Sequence, residues 1–256
     1  IKSKFVFLCC GAISTPVILK KSGITKNIGN TLQMHPTIKV VAEFDSKINS
    51  REMGVPVHQV KEFSPEISIG CSISSKPYLA LSMLDNYKYF NKVENNWEMM
   101  AIYYAMIKPE SVGKIWTIPF FNDPVVQYKL NHKDLGLLST ALKKMCEVLI
   151  AAGSKNIYPS IKNFGAIKTI NDLERIPAKI PKISSNLMTI HLFSSCPMGE
   201  NKKIHAVNSF GKVYGQQDLY INDASILPSA PGVNPQGIIM AIARRNIHNF
   251  IYNPKN

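Results

Sequence analysis

The chain has little of what marks several common protein classes. Its 256 residues hold two tryptophans and five cysteines, with no Cys-x-x-Cys pair among the latter. The closest cysteines, Cys9 and Cys10, are adjacent, a spacing unsuited to chelation, so no metal site is expected. Without a disulfide framework a reducing compartment is the default. No apolar run reaches the roughly 18 to 20 residues of a membrane-spanning helix, and no signal peptide stands at the start. A cytoplasmic place, or one peripheral to a membrane, is therefore expected. A Gly-x-Ser-x-Gly elbow is missing, which argues against an α/β-hydrolase. So is a Gly-x-Gly-x-x-Gly turn, the usual cradle for a dinucleotide pyrophosphate.

Acidic residues are also few: 17 Asp and Glu against 30 Lys and Arg, a formal charge of +13. The lysines stand singly or in pairs, as in Lys20-Lys21, Lys143-Lys144 and Lys202-Lys203. With no basic run and no interleaved aromatics, no nucleic-acid partner is expected; the charge reads as a solvated surface that steers anions. A basic binding module for anionic polymers is the rival reading of the same charge. A chain 45% hydrophobic and 18% charged folds rather than remaining disordered.

Three segments emerge along the sequence. Residues 1–45 hold an apolar strand entering a turn at Cys10-Gly11, a short helix ending near Ser22-Gly23 and an alternating strand from Ile38 to Phe44. Residues 46–185 are more irregular, with an aromatic helix expected around Trp97 to Met106 and a hairpin from Gly113 to Leu130. One amphipathic helix there carries Leu138, Leu142, Met145 and Leu149 on one stripe and stops at Gly153. Residues 186–256 bring an apolar strand to His191, a strand from Asp218 to Ile221 and a helix from Pro235 to about Ile251. Strands interrupted by such an insert suit an α/β domain entered twice, with an α+β domain between.

The residues able to do chemistry lie in the third segment. His191 stands in an apolar strand, commonly a structural setting, yet an ordinary imidazole pKa near 6.5 lets it serve as a neutral base. Asp223 follows the strand Leu219-Tyr220-Ile221, where a carboxylate can cap the next turn. Asn234 precedes Pro235, and Asn is a favoured N-cap just as Pro suits the first helical position. That helix start also offers unpaired N–H groups and the positive end of a dipole. His58, His132, His205 and His248 show no ligand spacing and are expected at the surface.

The ordered stretches TIHLFSSCPMGE and YINDASILPSAPGVNPQGIIMAIARR resemble the C-terminal signature of the glucose–methanol–choline (GMC) flavin oxidoreductases. At the other end GAISTPVILKKSGI, Gly11 to Ile24, is similar to the family's pattern of Gly-Ala, two spacers, Ser/Thr-Pro, an aliphatic pair and Ser-Gly. The stretch SVGKIWTIPFFNDPVVQYKLNHKDLGLL is similar to the start of its substrate domain. The resemblance spans nearly the whole chain and is weakest from 46 to 108. Thr25 stands where the family has Gly, and Asn30, Thr31 and Met34 replace its Arg, Asn and Asp. His35-Pro36 is kept, but these departures leave His35 outside the expected site.

The resemblance implies part of an FAD-binding domain, missing its N-terminal dinucleotide-binding half, with an inserted substrate-binding domain on a mixed or antiparallel sheet flanked by helices. It implies an FAD-dependent alcohol dehydrogenase or oxidase acting on the CH–OH group of a small-molecule alcohol, with hydride passing to flavin N5. His191 would be the base and Asn234 would stabilise the substrate oxygen. Cys10, Gly11, Asp223, Ala224, Asn234, Pro235 and Gln236 would approach FAD. The electron acceptor (oxygen, a quinone or a carrier) is left open. Because the chain opens in mid-strand, it reads as the C-terminal portion of a larger flavoenzyme, inactive alone; the rival is a non-catalytic fragment without the pyrophosphate site.

Overall fold

A computed structural model describes residues 2–253, and the chain divides into two compact units. The first comprises residues up to His35, 109–130 and from Ile190 onward; the second comprises Pro36–Lys108 and Asn131–Thr189. The boundaries expected at 45 and 185 thus fall at 35 and 189, and 109–130 lies in the first unit. Gly113 shows why: it exchanges two backbone hydrogen bonds with Leu32 (3.0 and 2.6 Å), and Ile115 is buried with Ala12, Val17 and Leu32.

In chain order the elements begin with β1 (Val6–Leu8), α1 (Gly11–Lys21), β2 (Gln33–Met34), β3 (Thr37–Glu43), β4 (Gln59–Val60) and β5 (Ile67–Cys71). Then come α2 (Lys76–Met83), α3 (Asn91–Asn96), β6 (Met100–Ile107), β7 (Lys114–Trp116) and β8 (Val125–Gln127). The remainder are α4 (His132–Ala151), β9 (Asn156–Pro159), β10 (Leu192–Phe193), β11 (Leu219–Ile221) and α5 (Gln236–Tyr252).

The second unit is built on one five-stranded sheet, in the order β4-β5-β6-β3-β9, with every pairing antiparallel. Its central strand β6 lies where an aromatic helix was expected; only Trp97–Met99 make a helical turn, of the 3-10 type. The sequence MAIYYAMI is apolar throughout because both faces of this strand are covered, and such a run carries no period to separate strand from helix. On one face Tyr103, Ile69 and Cys71 line a pocket with Met145 and Leu149 of α4. On the other, Val41, Ile102 and Tyr158 pack against Leu79 and Met83 of α2 and Val93 of α3.

Helix α4 is the amphipathic helix read from the sequence. Asn131 caps it by accepting from the Asp134 N–H (2.8 Å), and Gly153, at φ +88°, turns the chain where a side chain would strain the backbone. Leu138, Leu142 and Met145 are fully buried, each contributing about 1.5 to 3 kcal/mol. The last residue of β3 is a buried carboxylate, Glu43, which accepts from Lys92 Nζ (2.7 Å), Asn156 Nδ2 (2.8 Å), Asn96 Nδ2 (3.2 Å) and Tyr158 OH (3.2 Å). Burial works to raise its pKa, but the hydrogen bonds from Lys92, Asn156 and Asn96 outweigh that and hold it below the usual carboxylate range.

The first unit has much shorter elements. β1 and β11 pair in parallel with Val6 opposite Leu219. The ring of Phe250 from α5 stands edge-on to Phe7 and Tyr220, which stack on each other at 5.0 Å. β1, apolar throughout, is nonetheless exposed at Val6 and half-buried at Phe7 and Leu8. β7 and β8 form the expected antiparallel hairpin. Helix α1 contains Pro16, which has no N–H for the carbonyl of Ala12 one turn back. The buried Ser195 hydroxyl donates to that carbonyl instead (2.6 Å), so the gap left by proline becomes the anchor of the 194–196 turn. No helix among the described residues is long and apolar enough to cross a membrane.

Candidate active site

Two stretches far apart in sequence run antiparallel and build the floor of the site. The Gly29 N–H donates to Ser195 O (2.6 Å), the Thr31 hydroxyl to Ser194 O (2.7 Å), and β2 pairs with β10 with Met34 opposite Leu192. Carried one residue further, this ladder sets the His35 N–H against the His191 carbonyl (3.3 Å). His191 therefore lies just ahead of the two-residue β10, not at the end of a longer strand.

The ladder also brings the two imidazoles together. Their Nδ1 atoms are 3.0 Å apart and their planes are nearly perpendicular at 89°. His35 Nε2 lies 2.6 Å from the Pro231 carbonyl, and its ring packs edge-on to the buried Phe193. His35, left out of the expected site, thus stands in hydrogen-bond contact with its expected base. Burial pushes the pKa of His35 down to about 4, against the hydrogen bond to Pro231. Burial also lowers that of His191, so both rings are neutral at neutral pH.

A second set of contacts delivers Asp223 and Ala224. At the carboxyl ends of the parallel pair, Asp223 accepts from the Gly11 N–H (2.9 Å) and the Thr15 hydroxyl (2.5 Å), while its other oxygen accepts from Ser225 N–H (2.8 Å). The carboxylate thus caps its own turn and ties it to the start of α1. Gly11, at φ +82°, reverses the chain there. The 194–198 strip then hydrogen-bonds along 224–226, through Ser194 N to Ala224 O, Cys196 N to Ser225 O and Met198 N to Ile226 O.

These elements bound a cleft of about 470 Å³ lined by Ile190, His191, Leu192, Ala224, Asn234, Pro235, Gln236, Ile239 and Met240. Six of the nine are apolar, and His191 and Asn234 are among the polar minority. At one wall α5 begins. Its N-cap is Pro235, not Asn234, and no side chain caps it; the first helical bond runs from Ile239 N–H to Pro235 O (2.9 Å). Among the described residues, the N–H groups of Gln236, Gly237 and Ile238 have no hydrogen-bond partner. Of the expected site residues, His191, Ala224, Asn234, Pro235 and Gln236 share this cleft. Cys10 and Gly11 do not line it; they sit at the α1 turn, joined to it through Asp223.

A family model described as GMC oxidoreductase matches residues 119–243, and a second of the same description matches residues 1–37. Among curated proteins, the chain is 39% identical over 246 residues to an uncharacterized GMC-type oxidoreductase, y4nJ, of Sinorhizobium fredii, covering 96% of this chain and 49% of that one. It is 27% identical over 269 residues to the long-chain-alcohol oxidase FAO1 of Arabidopsis thaliana, covering 95% and 35% respectively. The chain thus spans about half or less of the length of these relatives. Among solved structures, the pyridoxine 4-oxidase from Mesorbium loti superposes with a TM-score of 0.66 at 15% identity, over 97% of this chain and 52% of that one, a likeness of fold.

Proposed function

This chain belongs to the GMC oxidoreductase family, and on that premise we propose that it forms the alcohol-oxidising site of an FAD-dependent oxidoreductase acting on CH–OH groups. The observation that carries the proposal is the meeting of His191 and Asn234, 43 residues apart in sequence, on one largely apolar cleft at the start of α5. A half-buried imidazole held neutral is a proton acceptor at working pH, and an amide beside it is a hydrogen-bond donor.

The residues fit the reactive end of a flavin. The cleft offers apolar walls from Ile190, Leu192, Ile239 and Met240, the small side chain of Ala224, and unpartnered N–H groups in the first turn of α5. Those N–H groups and the positive end of the helix suit an electron-rich ring edge. Ala224, Pro235 and Gln236 would hold that ring, and Asp223 would keep Gly11 and Ala224 in place around it. When bound, FAD would supply the hydride acceptor.

The remaining work falls to the chain itself. His191 takes the hydroxyl proton of the alcohol on the ring nitrogen that does not face His35. Asn234 donates to the alcohol oxygen as it gains negative charge. The apolar walls exclude water, which strengthens both interactions. The test is anaerobic stopped-flow reduction of the FAD-loaded protein by short- and long-chain primary alcohols. Bleaching of the flavin by at least one of them, lost in His191→Ala with FAD still bound, is the expected result. A full panel without bleaching would remove the alcohol reading.

A further inference from the structure

We infer that His35 is a positioning residue that fixes the tautomer of His191, holding the proton of that ring on Nδ1 so that Nε2 carries the basic lone pair. The inference rests on the reading of His191 as the base, and it adds a residue that the sequence had set aside.

The argument follows from what each atom can do. A carbonyl oxygen only accepts, so the 2.6 Å contact between His35 Nε2 and Pro231 O requires the proton of His35 on Nε2. His35 is 1% exposed, and burial pushes its pKa down to about 4, so at neutral pH it keeps the single proton that its Nε2 gives to Pro231. Its Nδ1 is then an acceptor. The facing Nδ1 of His191, 3.0 Å away, must donate, since two lone pairs at that distance would repel. The direction of the whole relay is therefore set by one backbone carbonyl: Pro231 accepts from His35, and His35 accepts from His191.

That carbonyl is itself held. The Ala230 N–H donates to Gln33 Oε1 (2.6 Å), one residue before Pro231 and two residues before His35 on the facing stretch. Ala230 is buried with Phe193 and Leu227. Gln33 and His35 thus grip consecutive residues, 230 and 231, which lie four and three positions before Asn234. The contacts that orient the base also anchor the segment delivering the amide.

A neutral imidazole in this place does different work from a carboxylate. It orients the base and accepts its Nδ1–H, yet offers no full negative charge to stabilise the imidazolium formed when His191 takes up a proton. His191 is thereby kept a weak, neutral base that passes its proton on readily.

The test reads tautomers directly. In protein labelled with 15N-histidine, long-range 1H–15N correlation spectra distinguish Nδ1–H from Nε2–H rings whether or not alcohol is present. The expected spectrum assigns Nε2–H to His35 and Nδ1–H to His191. An Nε2–H signal for His191 in the unmodified protein overturns the inference. Two variants extend the test. In His35→Gln the side-chain amide can still donate to Pro231 and its oxygen can still accept from His191, so the tautomer and most of the flavin-reduction rate should survive. In His35→Leu neither contact remains; His191 should become a mixture of tautomers and reduction should slow on the order of 10- to 100-fold, with little change in alcohol Kd. Equal losses in both variants, or an unchanged His191 tautomer in His35→Leu, would also overturn it. The His191→Ala kinetics report separately on the base: if that variant reduces its flavin normally while the tautomers are as expected, the base assignment fails and the relay stands.

Discussion

In the second unit five paired strands lie between α4 and the α2–α3 pair, and its buried carboxylate Glu43 sits in a closed ring of donors from Lys92, Asn96, Asn156 and Tyr158. In the first unit no strand exceeds three residues, and the stretches are joined by single contacts such as Ser195 to Ala12, Thr31 to Ser194 and Gly11 to Asp223. Yet all the residues assigned to chemistry lie in the first. A polar group inside a complete sheet is consumed by the sheet's own needs. A scaffold of turns leaves backbone N–H groups and imidazoles pointing into space that a ligand can use.

If that contrast holds, substitutions of the cleft residues of the first unit should act on rate, whereas those at structural contacts, Glu43 in the second unit and Ser195 in the first, should act on stability. The largest effect is expected for His191→Ala: flavin reduction slower by about 10²- to 10⁴-fold, the usual worth of a positioned base, with the melting temperature nearly unchanged. Asn234→Ala should follow with about 10²- to 10³-fold. Because Pro235 and not Asn234 occupies the N-cap of α5, no loss of helix stability should accompany it; a destabilised but kinetically normal variant would reverse the reading of Asn234. Glu43→Gln removes an acceptor from several buried donors and should cost about 2 to 3 kcal/mol in denaturant melts, with flavin reduction unaltered. Ser195→Ala should be mildest, about 1 kcal/mol, since it leaves the Ala12 carbonyl unpaired beside Pro16.

Acid should separate the units in the same way. The Glu43 carboxyl is held below its ordinary value of 4.5. Its stabilising contribution is thus complete above that value and fades as pH falls through the lower folded-state pKa. Stability of the unmodified protein should drop in that range, and that of Glu43→Gln should drop less. The rate should respond at higher pH. Burial lowers the pKa of His191 from 6.5, so flavin reduction should rise with pH to a plateau already reached by neutrality. A rise centred above 6.5 would show a different base at work.

Much of this arrangement could be read before any coordinates. The stripe of α4 and its stop at Gly153, the hairpin of β7 and β8, and the α1 helix closing at Ser22 are local, and local periodicity reports them. β6 was misread because a strand covered on both faces has no alternation to show. Asn234 was misplaced by one position because Asn-Pro suits a cap whether or not the side chain turns back to the helix. His35 was beyond any local signal: its partner is 156 residues away, and only the pairing of β2 with β10 aligns them. Its surrounding departures from the family pattern fall on neighbours, while the histidine and the following proline are kept.

The parallel pairing of β1 with β11 has a consequence for biosynthesis. Gly11 and the Asp223 that accepts its N–H are 212 positions apart. At roughly 5 to 20 residues per second of translation, the early partner waits about 10 to 40 seconds for the late one. Throughout that wait the edge of β1 that faces β11, with Phe7 at its centre, stays open to pairing with another nascent chain. Strands β3 to β6 of the other unit emerge well within the same wait and can pair meanwhile. The histidine pair is completed only when residue 191 arrives, 156 positions after its partner, so the site is assembled late.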